Sequence, residues 1–287
     1  MIMMNNVKQS LATRRFQKLL GNKLALIGLV IFVIMLLACV FAPVLTSWDP
    51  TQVNPKEKLL PMSSAHILGT DQLGRDIFSR ILYGGRISIF IGVVSAVLST
   101  ALGVALGCIS GYYGGKVDAV LLYIGELFTC FPQTILIMLI ISFFGQSVAW
   151  MIVVFVFTGW VGTMRMVRSR LLSLKEEPFV ESCRVNGIGG VSIMFNHLLP
   201  NAVGPIIVNV TIGIAGYVLS EAGLSFLGIG VSPSVPTWGN MINAAKSMNV
   251  MVNNPALWII PGIAISLFVL SCNFFGDGLR DVLDATQ

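Results

Sequence analysis

The sequence predicts an all-α, membrane-embedded fold with six helical crossings, and three observations predict it. Charged residues make up 11% of the chain against 55% apolar ones, with a mean hydropathy of +0.84. A water-soluble domain carries about 25% charge. The apolar residues fall into separate uncharged runs, each long enough to cross about 30 Å of hydrocarbon. Lys and Arg sit between those runs and form no single patch, so the net charge of +5 reads as a topology signal and no nucleic-acid partner is expected. Five cysteines (Cys39, Cys108, Cys130, Cys183 and Cys272) show no Cys-x-x-Cys spacing, and His66 and His197 are the only histidines. Neither a disulfide framework nor a metal site follows.

Residues 1–23 are polar and basic, with Lys8, Arg14, Arg15, Lys18 and Lys23. Leu24 to Leu45 is then uncharged and exceeds the roughly 7–15-residue apolar core of a secretory signal, so it is the first span. Leu36-Leu37-Ala38-Cys39 resembles a lipoprotein cleavage box, but the apolar run continues past Cys39 to Leu45. Residues 24–86 therefore hold one span and a polar loop, which closes on Gly69 to Arg86. There Ile77, Ile81 and Leu82 share a helical face while Arg75, Ser79 and Arg80 point elsewhere. A short amphipathic helix lying at the membrane interface is expected.

Residues 87–280 form the remaining core. Ile87 to Ser110 is the second span, with Ser95, Ser99, Gly103, Gly107 and Gly111 recurring every four residues. Such a stripe lets helix backbones approach closely where lipid offers no hydrophobic drive for association. Residues 117–144 are too long for one straight crossing and are expected to kink near Phe131-Pro132. Val148 to Met164, Ala202 to Ser220 and Pro255 to Gly276 complete the count, and residues 221–254 form a Gly/Pro-rich outer segment. A short tail, 281–287, follows.

Six spans put both termini on one side. With the amino end inside, the inner segments carry twelve basic residues, including Lys116, Arg165, Arg168, Arg170, Lys175, Arg184 and Arg280. The outer segments carry six: Lys56, Lys58, Arg75, Arg80, Arg86 and Lys246. The positive-inside rule then makes both termini cytoplasmic, together with the loop of about 165–201.

Within that loop Glu181 to Pro200 is a polar island. Glu176, Glu177 and Pro178 start a short helix, since acids and proline suit a first turn. Gly187, Gly189 and Gly190 end it, each unfavourable in a helix interior by about 1 kcal/mol against Ala. A second short helix is expected from Val191 until Pro200 stops it. The result is a compact knob suited to docking. No phosphate-binding loop exists, because Gly114-Gly115-Lys116 is followed by Val117. No nucleophile–base arrangement can be argued, so no catalytic residue is expected. Glu126 and Glu221 are the acids nearest membrane depth. Structural or pathway-lining roles are favoured for both over a proton relay.

The island resembles the cytoplasmic loop signature of ABC importer permeases: Glu-Ala-Ala, three residues, Gly, nine residues, an apolar position, one more residue, then Leu-Pro. Here it reads Glu181-Ser182-Cys183, Gly187, His197 and Leu199-Pro200 with every spacing kept. Ser182 and Cys183 replace two alanines, and His197 stands at the apolar position. Residues 69–76 (GTDQLGRD), 221–230 (EAGLSFLGIG), the Trp238-Gly239-Asn240 turn and the tail Gly276 to Asp281 are similar to the second, C-type permease of dipeptide, oligopeptide and nickel importers. The resemblance implies a type I ABC importer permease fold in a prokaryotic plasma membrane. It implies a homologous second permease, two cytoplasmic ATPases that bind ATP and Mg, and an extracytoplasmic substrate-binding protein as partners. Glu181, Ser182, Cys183, Arg184, Gly187, Leu199 and Pro200 would then couple to an ATPase, and the chain itself would hydrolyse nothing and hold no cofactor. Di- or oligopeptides are the first-choice cargo, with nickel or a metal chelate second. A proton-driven secondary transporter working through Glu126 or Glu221 competes, but no inverted repeat supports it. A non-transporting scaffold or receptor is the remaining alternative.

Overall fold

The computed structural model of the chain describes residues 19–284. Lys8, Arg14, Arg15 and Lys18 of the basic lead-in, and the last three residues of the tail, lie outside the described residues. Besides a 3-10 turn at Pro55–Glu57, the α-helical elements in order are α1 (Lys23–Val40), α2 (Ala42–Leu45), α3 (Ile77–Tyr113), α4 (Gly115–Thr129), α5 (Gln133–Phe144), α6 (Val148–Lys175), α7 (Pro178–Val185), α8 (Gly190–Phe226), α9 (Trp238–Ala244), α10 (Met248–Asn253) and α11 (Ala256–Asp284). Five are long and apolar enough to cross a membrane, and α4 with α5, bent by 82° at their break, makes a sixth crossing. The protein is an all-α multi-pass membrane protein. Asn22 Nδ2 donates to Asp281 Oδ2 (3.4 Å), so both ends of the helical body meet at one face. Alternation of the spans puts the α6–α8 junction on that same terminal face.

The small-residue stripe is where the backbone packs most closely. A Cβ at Gly103 would stand 2.6 Å from Thr163 Cβ, at Gly107 2.7 Å from the Met164 carbonyl oxygen, and at Gly111 2.9 Å from Leu171 Cβ. All three contacts are with α6. The expected packing face is therefore the α3–α6 seam. The break between α4 and α5 falls at the expected proline: Pro132 has φ −54° and ψ 122°, which takes the chain out of the helix before α5 begins. Proline cannot donate its nitrogen to the preceding turn.

Several boundaries differ from expectation. The short interfacial helix does not exist as a separate element, because Ile77 begins the 37-residue α3. Ser79 and Arg80 do not face water but are 0% and 2% exposed. The loop before them supplies their partners: Arg80 Nη1 donates to the Pro50 carbonyl (2.9 Å), Arg80 Nε lies 3.7 Å from Asp71 Oδ2, and Ser79 Oγ donates to the Trp48 carbonyl (2.7 Å). The same loop tucks His66 under α3, with Nδ1 2.9 Å from Asp76 Oδ2. Asp76 also caps α3 by accepting from the Ser79 amide (2.7 Å). Arg75 Nε pairs with Asp71 (2.7 Å), and Arg86 donates to the last carbonyls of α1, Cys39 (3.2 Å) and Val40 (2.6 Å). Half of the outer basic residues are thus bound within the fold.

Pro200 does not stop the second island helix. It sits inside α8, just after a π-helical stretch, Ile193–Leu198. In that wider stretch the Leu199 amide bonds the Met194 carbonyl, five residues back, which relieves the clash proline makes with the carbonyl four residues back. Asn201 Nδ2 donates to the His197 carbonyl (2.6 Å), satisfying an acceptor on this turn. The segment 221–254 carries α9 and α10, and Trp238-Gly239-Asn240 is the first turn of α9. Asn240 Nδ2 ties that turn to the carbonyls of Val231, Ser232 and Val235 at 3.0–3.2 Å.

Candidate functional site

Two features carry functional geometry: the island on the terminal face, and a groove between the spans. The island helix α7 starts as the sequence suggests, with Glu177 as N-cap residue, Pro178 in the first turn, Glu181 near the positive helix end and Arg184 near the negative one. It ends on Gly187, whose φ of +73° lies in the left-handed region that side chains disfavour. The Ile188 amide reaches back to the Cys183 carbonyl (3.1 Å) and the Gly187 amide to Arg184 (3.0 Å), closing the C-terminus.

Seating and presentation are divided between residues of α7. Val180 is fully buried, in a cluster with Cys108 of α3, Val167 and Leu171 of α6, and Ile193, Met194, Leu198 and Ala202 of α8. Burying a valine contributes about 1.5–3 kcal/mol. Cys183, Ile188 and Leu199 pack partly against the same cluster. Cys183 and Leu199 thus lie on the seat of the knob. Glu181, Ser182, Arg184 and Gly187 are exposed, as is Pro200 on the following helix. Val185, at 83% exposure, is the apolar tip. Sequence reasoning missed Val185, because nothing in the spacing motif marks it.

The island is also tied to its neighbours by polar contacts. Lys175 Nζ donates to the Tyr112 carbonyl (2.8 Å), linking the end of α6 to the end of α3. One turn deeper, Arg168 grips Asp118 with both Nε and Nη2 at 2.5 Å, and Ser110 Oγ donates to the same carboxylate. This ion pair joins α3, α4 and α6. No local signal in the sequence connects residues so far apart.

The second feature is a groove of about 370 Å³ lined by Ser99, Thr100, Gln133, Thr163, Asn209, Tyr217 and Ser220, with Gly159, Gly162, Gly213 and Gly216 between them. Its walls come from α3, α5, α6 and α8. Tyr217 OH donates to Ser99 Oγ (2.8 Å) and Asn209 Nδ2 to Thr163 Oγ1 (2.8 Å). The two acids expected at membrane depth do not line it. Glu221 is 0% exposed and accepts from Ser88 Oγ (2.9 Å) and Ser225 Oγ (2.7 Å). Ser88 in turn accepts from the Trp238 amide (3.3 Å), so Glu221 pins α3 and α9 to α8. Glu126 is exposed on α4. Neither acid is among the residues lining this groove: buried hydroxyls hold Glu221, and Glu126 stands on the exposed face of α4.

The family profile described as "Binding-protein-dependent transport system inner membrane component" matches residues 103–286, which include the island, α6, α8 and much of the groove. The chain belongs to this family. A second profile, "N-terminal TM domain of oligopeptide transport permease C", matches residues 10–61, the region of α1. A Brucella suis protein named as a peptide permease is 40% identical over 275 residues, covering 94% of this chain and 90% of its own length. The dipeptide transport system permease protein of Alkalihalophilus pseudofirmus is 38% identical over 269 residues, with 94% and 88% covered. The oligopeptide transport system permease protein of Bacillus subtilis is 36% identical over 264 residues, with 92% and 86% covered. The chain is a C-type permease subunit of an ABC importer, a non-catalytic membrane component.

Proposed function

We propose that this subunit moves di- or oligopeptides and that α7 is the lever through which a cytoplasmic ATPase drives it. The observation that carries the coupling role is the division of α7 into a buried seat at Val180 and an exposed tip of Glu181, Ser182, Arg184 and Val185. A tip seated in one cluster with α3, α6 and α8 moves with those spans, so force applied to it reaches the bundle. In this reading the terminal face is cytoplasmic, two ATPase subunits dock beneath two homologous permeases, and a substrate-binding protein delivers cargo to the opposite face. ATP binding closes the ATPase pair and turns the cavity outward, and hydrolysis resets it. Peptides are taken as cargo because the relatives named above carry peptide, dipeptide and oligopeptide in their names.

Substituting Gly187→Val, or Glu181 by a bulky residue, tests the lever. Valine at a φ of +73° strains the elbow, but the strain falls on an exposed turn with nothing within 4 Å of a Cβ, so membrane insertion is expected to persist while ATPase co-purification weakens and uptake is lost. Normal uptake by either variant would remove the coupling role. Cargo is tested by uptake of labelled tripeptide and labelled nickel in a deletion strain. Unchanged peptide uptake with lost nickel uptake would overturn the peptide assignment.

A further inference from the structure

We propose that the groove of Ser99, Thr100, Gln133, Thr163, Asn209 and Tyr217 is this subunit's contact surface for an extended peptide, which it holds by the backbone without regard to side-chain charge. The inference rests on the importer reading above. Ser99, Thr163 and Asn209 lie near the middles of α3, α6 and α8. Amides and hydroxyls at that depth are costly against lipid and persist where they face protein or a water-filled path.

Ser99 Oγ is engaged within the fold, donating to the Ala96 carbonyl (3.3 Å) and accepting from Tyr217, but Asn209 and Gln133 keep spare hydrogen-bonding capacity. An asparagine amide offers two donors and an acceptor, and Asn209 spends one donor on Thr163. Gln133 is exposed and is held by a single 3.2 Å contact to Thr158. The remaining groups are neutral donors and acceptors, which match the N–H and C=O of a peptide backbone.

The glycines supply room and fix one wall. Gly162 and Gly216 have nothing within 4 Å of a Cβ, so side chains of different size can be placed beside them. At Gly159 the nearest atom to a Cβ is the Tyr217 hydroxyl, which occupies the space a side chain would need and leans the ring toward Ser99.

Charge decides the rest. The residues lining the groove include no Asp, Glu, Lys, Arg or His. One unit charge about 6 Å from a charged side chain across a water-filled groove, at a dielectric near 80, would change preference about threefold, and so about tenfold between peptides of opposite charge. A wall that passes acidic, basic and neutral peptides alike has to be neutral, and this one is. Glu221 is kept out of it by the hydroxyls of Ser88 and Ser225.

The test uses the assembled transporter, with its ATPases, partner permease and binding protein, in proteoliposomes. The probes are Ala-Ala-Ala, Ala-Lys-Ala and Ala-Glu-Ala. Because the binding protein is constant, its own selectivity cancels when each variant is compared with the wild type. Gly216→Asp should raise the Lys-to-Glu uptake ratio about tenfold, and Gly216→Lys should lower it about tenfold. Asn209→Leu should reduce all three peptides equally, by roughly five- to tenfold for the lost hydrogen bond. Ratios within twofold of wild type in both Gly216 variants, with ATP-driven uptake retained, would overturn the proposal. Should those variants not assemble, a tripeptide carrying benzoylphenylalanine is photolysed on the wild-type complex. Cross-links on α3, α6 or α8 at the groove support the proposal, and cross-links confined to other surfaces overturn it. A wild-type complex that takes up none of the three peptides refutes the cargo reading itself, and with it this inference.

Discussion

Breaking the Asp118–Arg168 pair should loosen α4 from the bundle and uncouple hydrolysis from transport. Both contacts of the fork are 2.5 Å, and the side chains are 15% and 26% exposed. At an effective dielectric of about 20, unit charges about 4 Å apart attract by about 4 kcal/mol. Desolvation takes back part of that, and a charge-assisted bidentate geometry with an added hydroxyl leaves a net coupling of about 1–3 kcal/mol. A double-mutant cycle measures it: Asp118→Asn, Arg168→Gln and the pair together, followed by reversible unfolding of the purified complex in mixed micelles. Each single substitution is expected to cost about 2–3 kcal/mol, because it leaves a part-buried charge without its partner. The double variant should lose less than the sum by about 1–3 kcal/mol. In reconstituted vesicles the single variants should hydrolyse more ATP per peptide delivered, since α6 leads directly into α7 and would move without carrying α4. Energies that add within about 0.5 kcal/mol, with an unchanged ATP-to-peptide ratio, would refute the latch.

Two further outcomes are expected. Gly107→Ala should cost about 1–3 kcal/mol by overpacking against the Met164 carbonyl and Val167 Cβ, at 2.7 and 2.8 Å from the new atom, whereas Gly162→Ala meets nothing and should be neutral or slightly stabilising by helix propensity; thermal stability of the purified complex compares them. Glu221→Ala should deplete the subunit from membranes, because truncation leaves two buried hydroxyls facing a cavity, at about 3–5 kcal/mol; Glu221→Gln should retain ATP-driven uptake, and loss of uptake at normal membrane levels would restore the proton-relay reading.

What the sequence revealed and what it hid follow from the range of the interactions. The α3–α6 seam was legible because small residues every four positions form a stripe on any α-helix, whatever packs on it. The limits of α7 were legible because Pro178 and Gly187 act through their own backbone dihedrals. The start of α3 was not legible, because Arg80 and Ser79 look like water-facing residues until Asp71, Pro50 and Trp48 fold back as partners. Pro200 misled for a related reason: a π-helical stretch removes the clash that makes proline a helix breaker, and the sequence carries no mark of that stretch. Glu126 and Glu221 drew attention because charge at membrane depth is rare. The groove is built instead from neutral residues, whose significance appears only when four helices bring them together.

In the lever proposed above, the order of elements explains how a small island would govern the groove. The helix entering the island, α6, carries Gly159, Gly162 and Thr163, and the helix leaving it, α8, carries Asn209, Gly213, Gly216, Tyr217 and Ser220. Both sets line the same groove. Val180 fastens α7 to both helices through Val167 and Leu171 on one side and Ile193, Met194 and Leu198 on the other. The α3 wall cannot lag behind α6, because at Gly103, Gly107 and Gly111 the two helices are too close to slide past a side chain. At the groove itself the α3–α6 unit is joined to α8 by two neutral hydrogen bonds, Tyr217 to Ser99 and Asn209 to Thr163, while at the far end of α8 Glu221 with Ser88 and the close pass of Gly92 against Val218 hold α3 to it. Neutral hydrogen bonds contribute about 0.5–1.5 kcal/mol each and exchange readily with water or a peptide amide. A seam of that strength can open at the groove while the Glu221–Ser88 contact keeps the far ends of α3 and α8 together, whereas a buried ion pair across the groove itself would lock it shut.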